Sequence, residues 1–313
     1  MKVYHLSYPN HLYNENEAYS LAIGFFDGVH TGHRAVIQEA KEKGKELGIK
    51  TAVMTFDPHP SLVLGGRKEP VFYITPLEQK IDILKELEVD AVFVVRFTSD
   101  FAKLTPQQFI EAFIKDANVL HVTAGFDFTF GAFGKGTMKE MEELSEGAYS
   151  VSVVGKKEYS GDKISSTRIR AALKSGDMEE VQALLGRPFM VTGVVVHGDK
   201  RGRTINFPTA NVQPKEGQFI PATGVYVVKF QVQEKWYEGV CNVGFKPTFN
   251  DPKEKKLSIE VHIFAFDQNI YGEEVAVHWY KRIREEQKFN GLEELKAQLI
   301  KDKATALDYF QKD

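Results

Sequence analysis

The chain has 313 residues, 42% of them apolar and 27% charged, with a formal net charge of −3. That is long for one hydrophobic core, so two domains are expected, and the near-neutral charge gives no reason to expect a nucleic-acid partner. A single cysteine, Cys241, excludes an internal disulfide and a cysteine-based metal site. No apolar run approaches the roughly 18 residues of a membrane span. The first residues lack the charged and apolar regions of a secretory signal, so a soluble, cytoplasmic protein that engages no membrane is expected.

Residues 21–23, Leu-Ala-Ile, read as a buried strand that breaks at Gly24 and tightens again at Gly28. The chain then passes through His30 and His33 into an amphipathic helical pattern carrying Val36, Ile37, Ala40 and Leu47. A strand, a glycine-rich turn and a helix N-terminus make a phosphate site, because free N–H groups and the positive end of the dipole meet there. Histidines three apart share one face of the first turn and aim at the same place. The same spacing suits a shared metal ion, although only His59 offers a third ligand nearby in sequence.

Residues 51–56 form a second strand, ended by Asp57-Pro58-His59-Pro60. Thr75-Pro76-Leu77-Glu78 has the pattern of a capping box with proline at the first helical position, and starts a helix to about residue 87. After a third strand over 91–97, Thr105-Pro106-Gln107-Gln108 repeats that signal, with Phe109, Ile110, Phe113 and Ile114 on the buried side. A fourth strand covers 119–124. Continuous apolar strands alternating with helices imply a parallel sheet covered on both faces, with ligands bound beyond the carboxyl ends of the strands. Residues 24–33, 55–60 and 125–131 all lie at those ends.

The last of these loops sets Asp127 among Phe126, Phe128 and Phe130. That suits a planar ligand wanting aromatic surface and one polar anchor, although loop residues tucked against a sheet give the same pattern. Gly134-Lys135-Gly136-Thr137 is not a Walker loop, because Gly136 stands where Ser or Thr must follow the lysine. Ser165, Ser166 and Thr167 open a helical pattern with Arg168 and Arg170 close behind. One hydroxyl is enough for a cap; three with an arginine fork suit a triphosphate.

The segment 24–33, Gly-Phe-Phe-Asp-Gly-Val-His-Thr-Gly-His, together with 164–170, resembles the HxGH nucleotidyltransferase superfamily. Segments 55–60 and 125–131 narrow the resemblance to the bacterial FAD synthetases. The resemblance implies a Rossmann-like α/β domain in which His30 and His33 bind the ATP phosphates and stabilise the pentacoordinate α-phosphorus. It further implies that Gly24, Phe25, Asp27, Ser165, Ser166, Thr167 and Arg170 contribute to the ATP site, and Asp127, Phe128 and His59 to the flavin site.

Residues 177–185 read as a helix ended by Gly186 and Pro188. Beyond them the pattern turns to strands over 189–196, 224–232, 236–240, 257–264 and 275–280, a small antiparallel barrel or sandwich. A closing helix over 292–310 has Leu292, Leu295, Leu299 and Leu307 among its apolar positions. The stretch 198–203 reads as a solvated basic turn or as a loop able to wrap a triphosphate. Thr209 and Asn211, two apart, would face one side of a strand, where a hydroxyl and an amide oxygen suit Mg²⁺. Glu260 falls on the polar face of its strand, and by residue pattern alone reads as an exposed acid.

Residues 198–211, 224–226, 241–244, 247–249, 258–262 and 281–284, followed by Phe289, together resemble riboflavin kinase. The resemblance implies that Glu260 is the base for the ribityl 5′-hydroxyl, that Thr209 and Asn211 hold Mg–ATP, and that Gly198, Lys200 and Arg203 belong to the loop over the phosphates. Arg284 matches a flavin-binding flap residue. Asn206 stands where the family usually has glycine; asparagine tolerates a left-handed backbone better than most residues, so the loop is expected to survive. The expectation is an adenylyltransferase domain over 1–186 and a kinase domain over 187–313. They would convert riboflavin to FMN and ADP, then FMN to FAD and pyrophosphate, with ATP as co-substrate and Mg²⁺ as cofactor. The alternatives are one active module beside a structural or flavin-binding one, and a non-enzymatic flavin sensor.

Overall fold

The structure, a computed structural model, describes residues 1–9, 17–65, 70–198, 202, 205–247 and 255–312. The chain forms two compact units, Met1–Ser166 and Thr167–Asp313.

In the first unit, β1 (Lys2–Leu6), β2 (Tyr19–Ile23), β3 (Lys50–Asp57), β4 (Ala91–Arg96), β5 (Val119–Gly125) and β6 (Ser150–Val154) pair in parallel, in the order β1-β4-β3-β2-β5-β6. Alternation within the strands feeds two separate cores. Leu21, Ile23, Met54 and Phe93 pack with Phe109 and Phe113, whereas Ala22, Val53 and Val92 pack with Val36, Ile37, Ile83 and Leu84. The second core is covered by α1 (Thr31–Leu47) and, after the short α2 (Pro60–Leu64), by α3 (Leu77–Glu86). The first is covered by α4 (Pro106–Ile110) and the π-helical turn Glu111–Lys115 that follows it.

Thr105 makes the expected capping box with Gln108. The helix expected after Thr75 starts with Pro76 as its cap residue, and the Thr75 N–H donates to Asp27 at 3.0 Å. Thr137, once the Walker reading is set aside, caps α5 (Met138–Glu143) with Glu140. Edge strands β1 and β6 and helix α5 carry too weak a period to stand out in the sequence. Strands β7 (Glu158–Tyr159) and β8 (Asp162–Lys163) form a two-stranded ribbon.

The second unit begins with α6 (Ser166–Ser175), which opens on the last residue of the first, and α7 (Met178–Leu185), capped by Asp177 and ended by Gly186 at φ 68°. The sequence groups both helices with the first domain. By packing they go with the barrel: the Leu173 carbonyl accepts the Ala222 N–H at 2.9 Å and Lys281 pairs with Glu179 at 2.8 Å.

The barrel is closed and antiparallel, from β9 (Phe189–Val196), β10 (Ala210–Pro214), β11 (Gly224–Val232), β12 (Lys235–Pro247), β13 (Lys255–Ile263) and β14 (Glu274–Arg284), in the order β10-β13-β12-β11-β14-β9. Alternation again separates two sides. Tyr226, Cys241, Val261 and Trp279 are fully buried within it, with the Tyr226 and Trp279 rings edge to face at 5.1 Å. Val225, Val227 and Val240 face the other way and are covered by Ala306 of α8 (Leu292–Lys312). Of the helix's expected apolar positions, Leu292 is exposed instead, because the covering turn is the later one around Ala306 and Leu307.

Candidate functional site

In the first unit the strand order reverses between β2 and β5, and a cavity of about 550 Å³ opens at their carboxyl ends. Gly24, Phe25, His30 and His33 line it from the loop after β2, and Asp127, Phe128 and Phe130 from the loop after β5. Ser165 and Ser166 line it as well. The three loops expected at the strand ends contribute, with Phe56 and Pro60 standing for the one after β3. Sequence reasoning missed a wall of Lys156, Lys157 and Lys163, which brings positive charge to the rim.

His30 is the cap residue of α1, and its Nδ1 accepts the His33 N–H at 3.1 Å. An accepting Nδ1 leaves the ring proton on Nε2. The His30 and His33 rings stack with centroids 3.5 Å apart. Gly32 permits this, since a Cβ there would stand 3.2 Å from the His30 ring. Helix α1 therefore presents its positive end and two imidazoles at one cavity wall, an arrangement that attracts phosphate.

The turn before the histidines is unusual. Phe26 and Val29 have φ of 54° and 41°, and Gly28 has 92°. Positive φ at a β-branched residue is costly and persists only when neighbours enforce it. Asp27 is among those neighbours: 2% exposed, its carboxylate accepts the Ile74 and Thr75 N–H groups, while its carbonyl accepts the Ser166 hydroxyl at 2.8 Å. It does not line the cavity, so the structure places it behind the expected ATP site. His59 also stands outside the lining, capping α2 with its ring edge-on to Phe25 at 4.5 Å. Asp127 forms an ion pair with Lys163 at the rim. Thr167 and Arg170 fall on the first turns of α6, in the second unit.

In the second unit, pairing lines up one row across five strands. Asn211 pairs with Glu260, Glu260 with Asn242, Asn242 with Val225, and Val225 with Arg284. Directly paired residues share a face of the sheet, so Glu260 stands between two carboxamides on the side that α8 covers further along. Glu260 is half-buried rather than exposed, and its charge joins burial in pushing the Cys241 thiol well above its ordinary pKa. Gly198 lets the Asn211 amide lie against bare backbone, since a Cβ there would come within 2.3 Å of Nδ2. Thr209 lies one residue before β10 rather than inside it, so strand alternation does not align it with Asn211. Asn206 adopts φ 63°, the left-handed conformation for which it is suited.

Arg284, expected at the flavin, is held by an ion pair. Its guanidinium meets Asp302 of α8 at 2.8 to 3.2 Å, and Asp302 is 1% exposed. The expected phosphate-loop residues Lys200 and Arg203, together with Thr248 and Phe249, lie outside the described residues. Hydroxyl, carboxamide and carboxylate oxygens are the donors a hard divalent cation takes, so this region fits Mg²⁺ chemistry. Among the described residues no three His, Cys, Asp or Glu side chains gather to hold a metal by themselves.

Comparison with known proteins bears on both units. A family model for FAD synthetase matches residues 12–168, and one for riboflavin kinase matches residues 185–310. A Bacillus subtilis protein, "Bifunctional riboflavin kinase/FMN adenylyltransferase", is 50% identical over 99% of this chain and 98% of its own. The chain belongs to the bifunctional riboflavin kinase/FMN adenylyltransferase family. A relative of that name from Escherichia coli (strain K12) is 40% identical over 93% of this chain and 92% of its own. A crystal structure from Streptococcus pneumoniae, described as a macrolide-efflux protein, superposes with a TM-score of 0.87 at 35% identity, over 96% of this chain and 98% of that one. No helix among the described residues of this family member is long and apolar enough to cross a membrane.

Proposed function

We propose that this chain performs two successive ATP-dependent steps on a flavin, phosphorylating riboflavin to FMN and then adenylylating FMN to FAD. The observation that carries this reading is the first unit's cavity. It joins a two-histidine helix N-terminus, two serine hydroxyls and an aromatic wall with one acid in a single space.

We assign adenylyl transfer to residues 1–186. A phosphate oxygen of FMN attacks the α-phosphorus of ATP, the bond to the β-phosphate oxygen breaks, and pyrophosphate leaves. No protein atom need form a covalent intermediate, so rate comes from alignment and from neutralising charge. The His30 Nε2–H, the remaining amides at the start of α1 and the Ser165 hydroxyl supply donors fixed in advance, while Ser166, its hydroxyl given to the Asp27 carbonyl, fastens the turn; one such donor contributes about 10²- to 10³-fold. Phe128 and neighbouring rings offer the flavin a flat surface, and Asp127 a polar anchor.

Phosphorylation of riboflavin is assigned to residues 187–313. Glu260 takes the proton of the ribityl 5′-hydroxyl as that oxygen attacks the γ-phosphorus of ATP, and ADP leaves. Asn211 and Asn242 hold Glu260 in place along the row. Thr209 and Asn211 would hold Mg²⁺, which neutralises triphosphate charge when bound. A chain that consumes ATP in both steps works in the cytoplasm, where ATP is supplied.

Purified protein given riboflavin, ATP and Mg²⁺ should yield FMN, FAD and pyrophosphate, followed by chromatography of the flavins. Absence of both flavin products overturns the proposal.

A further inference from the structure

Helix α3 carries a lysine on its apolar face. Lys80 falls three and four residues before Ile83 and Leu84, and like them it is buried, at 2% exposure. Its ammonium donates to the Phe25 carbonyl at 2.8 Å and to the Thr55 hydroxyl oxygen at 3.0 Å, and stands 4.6 Å from the centre of the Phe25 ring. Thr55 in turn donates to that same carbonyl at 2.9 Å. These partners are neutral, so among the described residues no carboxylate in direct contact compensates the buried charge. A charge held in this way is a poor device for stability, since an apolar side chain of equal size would serve the core better.

The carbonyl that Lys80 grips belongs to the residue just before the strained turn. Phe26, Gly28 and Val29 all have positive φ, and the chain runs from them directly into His30. Asp27 ties the far side of that turn to the backbone of residues 74 and 75, just ahead of α3. Helix α3 and the segment before it therefore hold the turn at two points, one with a cation and one with an anion.

We propose that Lys80 is a positioning residue for adenylyl transfer, holding the Phe25 carbonyl from inside the core so that the turn presents His30 and His33 to the triphosphate. This rests on the assignment of adenylyl transfer to that cavity. Burial lowers the Lys80 pKa to about 8, against the opposing charges of Asp27 and Asp57. His59 and Tyr73 are the other titratable groups packed on Phe25. As pH rises through about 8 the ammonium becomes an amine, and the charge-assisted bond to the carbonyl weakens.

The test uses the full chain, with riboflavin phosphorylation as an internal control. Lys80→Met should lower kcat for FAD formation by about tenfold or more while KM for ATP changes less than about threefold, because donors are displaced and substrate surface is kept. Wild-type kcat should fall above about pH 8, and Lys80→Arg, charged throughout, should lack that fall. A Lys80→Met chain that keeps kcat within about twofold overturns the proposal, as does a Lys80→Arg chain with an unchanged alkaline limb. If circular dichroism shows that neither variant folds, the wild-type profile decides: a flat kcat from pH 7 to 9.5 overturns the proposal. A His30→Ala chain that makes FAD within about tenfold of the wild-type rate overturns the assignment of the cavity, and the role of Lys80 with it.

Discussion

The two units build polar sites in opposite ways. In the first, the groups sit on loops at the ends of parallel strands, and a strained turn, fastened from behind by Asp27, sets their aim. In the second, Glu260 sits inside a strand, and its neighbours Asn211 and Asn242 are delivered by pairing alone. A loop site can be tuned one residue at a time, whereas a ladder site moves only if a strand shifts register, which would turn every side chain to the other face.

That contrast can be broken or sharpened by measurement. The largest effect is expected from Glu260→Ala, which should cut riboflavin phosphorylation by about 10²- to 10⁴-fold and leave FAD formation from supplied FMN near normal. A loss of less than about tenfold would count against Glu260 as the base. His30→Ala should do the converse, lowering FAD formation by about 10²- to 10³-fold with FMN formation unchanged. Comparable losses in both assays, for either variant, would mean that the chemistry is not divided between the units.

A smaller effect is expected on stability. Asp302→Ala leaves the Arg284 guanidinium without its buried carboxylate and should destabilise the barrel by about 3 kcal/mol, read from urea unfolding. Both tryptophans, Trp236 and Trp279, lie in barrel strands, so their fluorescence follows this unit. The smallest effect concerns His278, whose ring lies 4.1 Å from that of Trp236 and whose pKa burial lowers to about 4. Between about pH 6.5 and 4 the unfolded chain binds a proton there that the folded chain does not, so stability falls on acidification across that window. Trp236 emission should change with a midpoint near pH 4, and His278→Leu should abolish that change.

The same contrast explains what the sequence could reveal. That the histidine turn, Ser165 and Ser166 line one cavity was legible because a strand end, a glycine turn and a helix start are written in consecutive residues, and the Thr105 capping box for the same reason. The role of Asp27 was not, because its partners at 74 and 75 are distant in sequence and contacted through backbone. Glu260 read as an exposed acid until pairing put amides on both sides of it. Arg284 read as a flap residue, yet the bond to Asp302 depends on where α8 lies, which no local pattern states. Lys80 left a signal of its own, a cation in an apolar helical stripe.

Cys241 stands at the centre of the barrel, fully buried and paired across to Tyr226 and Val261. Because the chain holds no other thiol, the rate at which a sulfhydryl reagent labels the native protein measures how often these strands part. The molecule thereby carries its own clock for barrel opening, readable with or without riboflavin and ATP, and needing no engineered probe.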